Sequence, residues 1–501
     1  MVLPQRVLSV LLVTLMYGAA CILLNTFGIQ LGAPAVLAVP ILLFLVVTPG
    51  RALIFAWCCL AFLPMLIREY MGQSAYNIVN EGVVAVLWLS WIARILLVGH
   101  VSGVPKPLLH MGMVVLVTSG ISVVVNGSNP VYWIEWVLTY LLPLPVLAIS
   151  RVYLKHYTPR RLMRIAVVFL GIQFALNFSW HAGINPLRNH HLWLDLACGS
   201  YGNTAATAYI MLAAITGGIC FIVSPKQRLK PQFFGLLLTV VAFIQFVFAF
   251  TVHAYLFLPV ALVISVYFFP KVNGQTSIRL INALLVLSLA FVLIVPLVRS
   301  SSRHRHYSSS ASTVEYGVKA WRSVWHGPKI AVIRRVVKTA DRLQLAVGMG
   351  PNSAVSYTGL KLNSPQTHWL VGEWYNTYSG RKELGTGSIR ENLFSGTVML
   401  LSEIGLIGMF PYLLLLVYPL FHLMKRMRQR NDGGPEMRFL LGAVVMLLVT
   451  NLLVGIVWDV WRIRMLSLTI WLLLGRIWDA EEPVAPDLVA HDSATLGQGA
   501  Q

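Results

Sequence analysis

Long apolar runs alternate with short polar breaks along most of the chain. Runs of about 20 apolar residues, the length a helix needs to cross a bilayer, recur near 8–26, 31–48, 51–68, 81–98, 108–126, 131–150, 163–180, 203–223, 232–250, 254–269, 279–298, 394–422, 438–457 and 463–477. The pattern predicts an all-α polytopic membrane protein with about 14 transmembrane helices. The first run, VLSVLLVTLMYGAACILL, follows Arg6 and lacks a small-residue cleavage pattern, so it is expected to be a retained span. Residues 299–393 break the alternation and read as one large soluble loop. The expected organisation is an N-terminal bundle of about 11 spans (1–298), the loop (299–393), about three further spans (394–478) and a disordered tail (479–501). That tail carries acids and no Lys or Arg.

Composition narrows the class. Apolar residues make up 57% of the chain, charged residues 11%, and mean hydropathy is +0.73, which excludes an ordinary soluble domain. Net charge is +20. The densest basic loops, SRVYLKHYTPRRLMR (150–164), SPKQRLKPQ (224–232) and KRMRQRNDGGPEMR (425–438), fall on one side of a 14-span arrangement. The positive-inside rule makes that side cytoplasmic, together with both termini, and puts the large loop on the opposite side. All the cysteines but Cys198 fall in spans, so neither a disulfide framework nor a CxxC metal site is indicated.

The large loop holds 14 Lys and Arg against five Asp and Glu. Two readings stand: attraction to anionic lipid headgroups, or an anionic substrate held at the outer face. The stretch from Ser312 to Ser356 reads as one or two amphipathic helices, in which Val332, Val336 and Val337 alternate with Arg334, Arg335 and Lys338, preceded by Arg322. Such a helix could lie on the membrane, or its guanidiniums could clamp a diphosphate bidentately. GMGPNS, from Gly348 to Ser353, is either an ordinary turn or a close backbone approach to a ligand, and it lacks the ending of a P-loop. His368, Glu373, Arg381, Arg390 and Glu391 sit among Trp369, Trp374 and Tyr375, which suits sugar rings and the bilayer interface equally.

Glu403 interrupts the apolar run LFSGTVMLLSEIGLIGMFPYLLLL. As part of one straight helix entering at Phe394, its carboxylate is expected roughly 13–14 Å into a layer of about 30 Å. A charge there is expensive and faces protein, water or substrate. Gly405 and Gly408 read as packing positions for a neighbouring helix.

Three segments in order resemble the O-antigen ligase and polysaccharide polymerase family: LACGSYGNTAATAYIMLAA (196–214), LAVGMGPNSAV (345–355) and LLSEIGLIG (400–408). The second is similar to that family's GxGP turn, late in its large periplasmic loop. The third looks like the LxExGxxG opening the following span. The resemblance implies a GT-C-like membrane glycosyltransferase acting on glycans carried by undecaprenyl diphosphate, inverting and metal-independent. It also implies loop arginines that hold the diphosphate, and no cofactor. Two positions depart from the family pattern. No His precedes Glu403 in RENLFSGTVMLLSE, leaving His368 as the nearest candidate, and TVHAY carries His253 where an Arg is usual. Both favour polymerisation or another transfer over ligation to lipid A.

Diphosphate is a good leaving group, so the protein must neutralise developing charge and orient the acceptor. The residues expected to do the first are Arg322, Arg334, Arg335 and Arg390. Glu403 or His368 is the expected general base, and Gly348 and Gly350 form the loop turn. Expected partners are the lipid-linked glycan, membrane lipids and a chain-length regulator and flippase of the same pathway, with no nucleic acid. The competing functions are an O-antigen-ligase-type transfer to another acceptor and a lipid-linked glycan transporter, although no internal repeat of the transporter kind is visible. NTFGIQLGAP in the first outer loop has no carboxylate for a metal, and Glu69 and Glu81, expected in the second outer loop, do not form a DxD pair.

Overall fold

The computed structural model describes residues 49–62, 64–98, 103–155, 157–181, 204–224, 229–249, 257–267, short pieces between 278 and 289, 337–351 except 339, 396–429, 434–457 and 460–478. Among these residues every regular element is helical: α1 (Pro49–Phe62), α2 (Pro64–Val98), α3 (Lys106–Asn126), α4 (Pro130–Tyr140), α5 (Pro143–Tyr153), α6 (Pro159–His181), α7 (Thr204–Val223), α8 (Leu229–Ala249), α9 (Leu258–Tyr267), α10 (Arg342–Val347), α11 (Gly396–Gln429), α12 (Pro435–Val457), a 3₁₀ turn (Val460–Arg462) and α13 (Arg464–Trp478). Within α2, α3, α7, α11 and α12 lie segments long and apolar enough to cross a membrane, and the bent pair α4–α5 supplies a sixth.

Local chemistry sets the boundaries. Six of these helices begin on a proline, whose fixed φ suits the first turn and whose missing N–H has no helical partner there anyway. Gly127, at φ 59°, ends α3 and returns its N–H to the Val123 and Val124 carbonyls. Asn129 then caps α4 by accepting from the Val131 N–H at 2.9 Å.

The core forms around α7, which is wholly buried from Ala206 to Val223. Small residues let its neighbours approach closely. Gly217 faces the Phe439 carbonyl of α12, Gly218 meets Thr239 of α8, and Gly442 of α12 lies against the Cys220 sulfur.

Basic side chains gather at one end of the bundle. Arg94 donates to the Tyr153 hydroxyl at 2.5 Å, Arg151 to the Gly103 carbonyl at 3.0 Å and Arg476 to the Tyr157 carbonyl at 2.6 Å. This end provides a ruler at 1.5 Å per residue. Measured from Arg94, Arg151, Arg438, Arg476 and Lys425 in turn, Glu81, Thr139, Asn451, Arg464 and Tyr412 all lie roughly 18–20 Å from it. Contacts tie this level together. Arg464 bonds Thr139 and Glu81, Trp461 donates to the Asn451 carbonyl, and Tyr412 packs on Trp461. Along α3 the distance from Lys106 to Asn126 is about 30 Å, a full hydrocarbon thickness.

Three expectations change. The stretch expected as the second outer loop is helical: the chain breaks at Pro64 and α2 runs continuously through Glu69 and Glu81. The span expected at 131–150 is two helices bent by 41° at Leu141–Leu142, just before Pro143. Finally, α11 is not one straight rod. Gly405 inside it has φ 64° and ψ −173°, far from helical values. In a straight helix Gly396 and Tyr412 would lie about 24 Å apart. Both instead touch the Trp461 indole, Gly396 by close backbone approach and Tyr412 at a ring separation of 5.3 Å. The arm Gly396–Ile404 is therefore folded back sharply on the arm that follows, as the backbone of Gly405 alone permits.

Candidate functional site

The fold in α11 leaves two carbonyls without helical partners. Those of Ser402 and Glu403 would accept from residues 406 and 407 in an unbroken helix. They accept instead from a different segment. The Met349 N–H donates to the Ser402 carbonyl at 2.6 Å and the Gly350 N–H to the Glu403 carbonyl at 3.2 Å. Each such carbonyl, buried and unsatisfied, would cost about 1–3 kcal/mol.

The donor segment is rigidly presented. Asp341 caps the short helix α10 in a reciprocal capping box, accepting from the Gln344 N–H at 2.7 Å while Gln344 accepts in return from the Asp341 N–H at 3.3 Å. The chain then leaves through Gly348 (φ 86°) and Gly350 (φ 105°). A Cβ on Gly348 would collide with the Glu403 and Ile404 backbone, and one on Gly405 with the Ala346 carbonyl. The two backbones thus touch where glycine removes the side chain.

Helix α3 closes the arrangement. Asn126 Nδ2 donates to the Gly348 carbonyl at 2.9 Å and to the Ser122 carbonyl at 2.7 Å, and the Ser122 hydroxyl donates to the Glu403 carbonyl at 3.1 Å. Three segments far apart in sequence meet at one hydrogen-bonded knot containing Ser122, Asn126, Gly348, Gly350, Glu403 and Gly405.

Glu403 is fully buried in this knot. The expected depth of roughly 13–14 Å assumes a straight helix, whereas α11 breaks at Gly405. The Lys106–Asn126 ruler and the Lys425–Gly405 ruler both put the knot about 30 Å from the basic end. That glycine and Gly408 were expected to receive a neighbouring helix. Gly405 instead receives the Gly348 loop, and the atoms nearest to Gly408 are those of the Ile404 side chain.

Of the expected site residues, Glu403, Gly348 and Gly350 come together here. His368, Arg322, Arg334, Arg335 and Arg390 lie outside the described residues, as does Asn203 of the first family-like segment and the tail from 479 onward. Of the expected loop helix, the described part is Val337–Lys338 and α10. Among the described residues no group of three or more His, Cys, Asp or Glu is placed to hold a metal ion.

Sequence reading missed Ser122 and Asn126. The available signal was a polar end, SVVVNGSN, on an otherwise apolar run. It also missed the pair Arg464–Glu81. Arg464, 8% exposed, approaches Glu81 at 2.8 Å and donates to the Thr139 hydroxyl at 2.8 Å. An aromatic ladder flanks it: Trp136 to Tyr140 at 5.0 Å, Tyr140 to Tyr412 at 6.4 Å, and Tyr412 to Trp461. Compared with known proteins, the chain matches no family model and no curated sequence.

Proposed function

We propose that the chain is a membrane glycosyltransferase that polymerises undecaprenyl-diphosphate-linked repeat units at the periplasmic face of a bacterial inner membrane. In this reading it has about 14 spans, a GT-C-like layout and a large periplasmic loop. The observation that carries the reading is the knot. The GMGP turn and the Glu-x-Gly segment each resemble a motif of one family, and they contact each other through paired backbone hydrogen bonds. A shared site is a simple reason for two such segments to meet.

The knot suits the chemistry. It fixes where the large loop re-enters the bundle, so the loop cations Arg322, Arg334, Arg335 and Arg390 can be delivered to one place. There they would neutralise the diphosphate as the glycosidic carbon is transferred to an acceptor hydroxyl. Glu403 or His368 would take the acceptor proton. Location at the far boundary of the apolar layer fits a donor whose diphosphate sits at the headgroup level and whose polyprenyl chain stays in lipid.

The deciding experiment is a product profile. The protein in lipid is given the host's lipid-linked repeat unit and a chelator, and the glycans are resolved by mass. A ladder spaced by one repeat supports a metal-independent polymerase. Product that forms only with an added lipid A core or protein acceptor would replace polymerisation with ligation. No transfer to any acceptor would remove the enzymatic reading and favour transport.

A further inference from the structure

Helix α6 has two distinct faces. Leu162, Met163, Phe169, Leu170 and Gln173 are buried. Phe169 packs on Trp57 of α1 at a ring separation of 5.2 Å, and Gln245 of α8 donates to the Leu170 carbonyl at 3.2 Å. Arg161, Arg164, Ile165, Val168 and Ile172 recur at i, i+3, i+4, i+7 and i+11, so they share the opposite face. All five are exposed. That face is a cationic head followed by an apolar stripe.

The head is held at the basic end of the bundle. Arg476 donates to the Tyr157 carbonyl at 2.6 Å, and the Thr158 carbonyl accepts the Arg161 and Leu162 N–H groups at 2.9 and 3.1 Å. The Arg161 guanidinium lies over the Tyr157 ring, 4.6 Å from its centroid, a contact that steadies the group and neutralises none of its charge. From Arg161 to Ile172 the helix rises about 16 Å, roughly half of an apolar layer of about 30 Å. The stripe therefore has the length of one leaflet.

The charge around it is of one sign. From Pro143 to His181 the sequence holds no Asp or Glu. The connection into α6 exposes Lys155, and the first turn of α6 exposes Arg160. Among the described residues no carboxylate pairs with Lys155, Arg160, Arg161 or Arg164. The orientation rule accounts for basic residues on this side of a membrane, but not for two arginines in register over one apolar stripe. A phosphate group suits the guanidiniums, and an acyl chain suits the stripe. A second copy of the same face would set like charges against each other across a two-fold axis.

We propose that the exposed face of α6 is a binding site for an anionic phospholipid of the leaflet at the basic end. Arg161 and Arg164 take the phosphate, and Lys155 and Arg160 strengthen the local field. One acyl chain lies along Ile165, Val168 and Ile172. The site does not depend on the reaction proposed above.

The test uses the full-length protein in phosphatidylcholine liposomes. A trace of phosphatidylglycerol carrying a diazirine midway along one acyl chain is added and irradiated, and the adducts are mapped by peptide mass. Helix α3 is the internal comparison: Val114, Val117 and Ile121 are also exposed there, and Lys106 is its sole Lys or Arg. Labelling within 165–172 is expected to exceed labelling within 114–121 about tenfold, through the attraction of clustered arginines to anionic lipid. The same diazirine on phosphatidylcholine is expected to label the two helices alike. Equal labelling by the anionic probe would overturn the site, as would a preference for α6 shared by the phosphatidylcholine probe. Displacement by millimolar inorganic phosphate would replace the lipid with a free anion. Arg161→Gln combined with Arg164→Gln, both at exposed positions, is expected to melt with the wild type and lose the preference. A preference that survives would take the arginines out of the site.

Discussion

The Met349 amide caps the Ser402 carbonyl at 2.6 Å, so a loop closes a break inside an apolar helix. Backbone at that position is tolerated only when its polar groups are satisfied by protein. Gly348 and Gly405, on the two sides of the contact, hold φ of 86° and 64° with ψ near ±175°, a region open essentially to glycine. A methyl group at either would also strike backbone that cannot rotate away. Gly348→Ala and Gly405→Ala are each expected to cost about 3 kcal/mol or more, combining 1–3 kcal/mol of strain with lost capping. Thermal unfolding of the detergent-solubilised protein checks this. A Gly405→Ala protein melting with the wild type would show that the break is not held as described.

Asn126 bridges Ser122 and Gly348 by donating both amide hydrogens to carbonyls. Asn126→Ala removes the bridge and should cost about 1–3 kcal/mol. Asn126→Asp should be worse, because it offers no donors and puts a negative charge against two carbonyl oxygens. The order wild type, Ala, Asp in melting temperature is the expected result. Asp at or above Ala would mean that the bridge contributes nothing.

Much of the helix inventory was legible because hydropathy records burial. The runs at 108–126, 203–223 and 438–457 coincide closely with α3, α7 and α12. Direction is different. The fold at Gly405 leaves the apolar run LLSEIGLIGMF unbroken, since both arms stay in apolar surroundings and only one residue changes its backbone angles. Likewise Pro64, rather than the polar stretch 69–80, marks the break between α1 and α2. Gly348, which Asn126 holds, and Thr139, which Arg464 holds, lie more than 200 positions from them, and no local pattern encodes such pairings. Glu403 stood out because a lone carboxylate in an apolar run is costly wherever it lands.

The return of the Gly396 arm rests on Trp461. Its indole fills the space where side chains at Gly396 and Gly455 would project, and its N–H donates to the Asn451 carbonyl at 3.1 Å. Gly455→Val is expected to destabilise by roughly 1–3 kcal/mol through overpacking. Trp461→Ala should cost about 3–5 kcal/mol as a large-to-small change in a buried site. The double variant should be more stable than the sum by about 1–3 kcal/mol, because the cavity left by one accommodates the other. Strict additivity would place the valine away from the indole.

Glu403 allows backbone and side-chain roles to be separated. Its carbonyl takes the Gly350 amide and the Ser122 hydroxyl, and any residue supplies that carbonyl. Glu403→Gln therefore leaves the knot's hydrogen bonds to residue 403 in place and is expected to change stability by no more than about 1 kcal/mol, the effect of a near-isosteric change. If the carboxylate takes the acceptor proton, the amide cannot, and losing a general base costs typically 10²–10⁴-fold in rate. Membrane abundance and melting temperature near wild type, with product reduced at least a hundredfold, are the expected results for Glu403→Gln and also for Arg390→Ala, which removes a diphosphate partner. Full product from both variants would withdraw both residues from the chemistry and confine Glu403 to holding the loop against the broken helix.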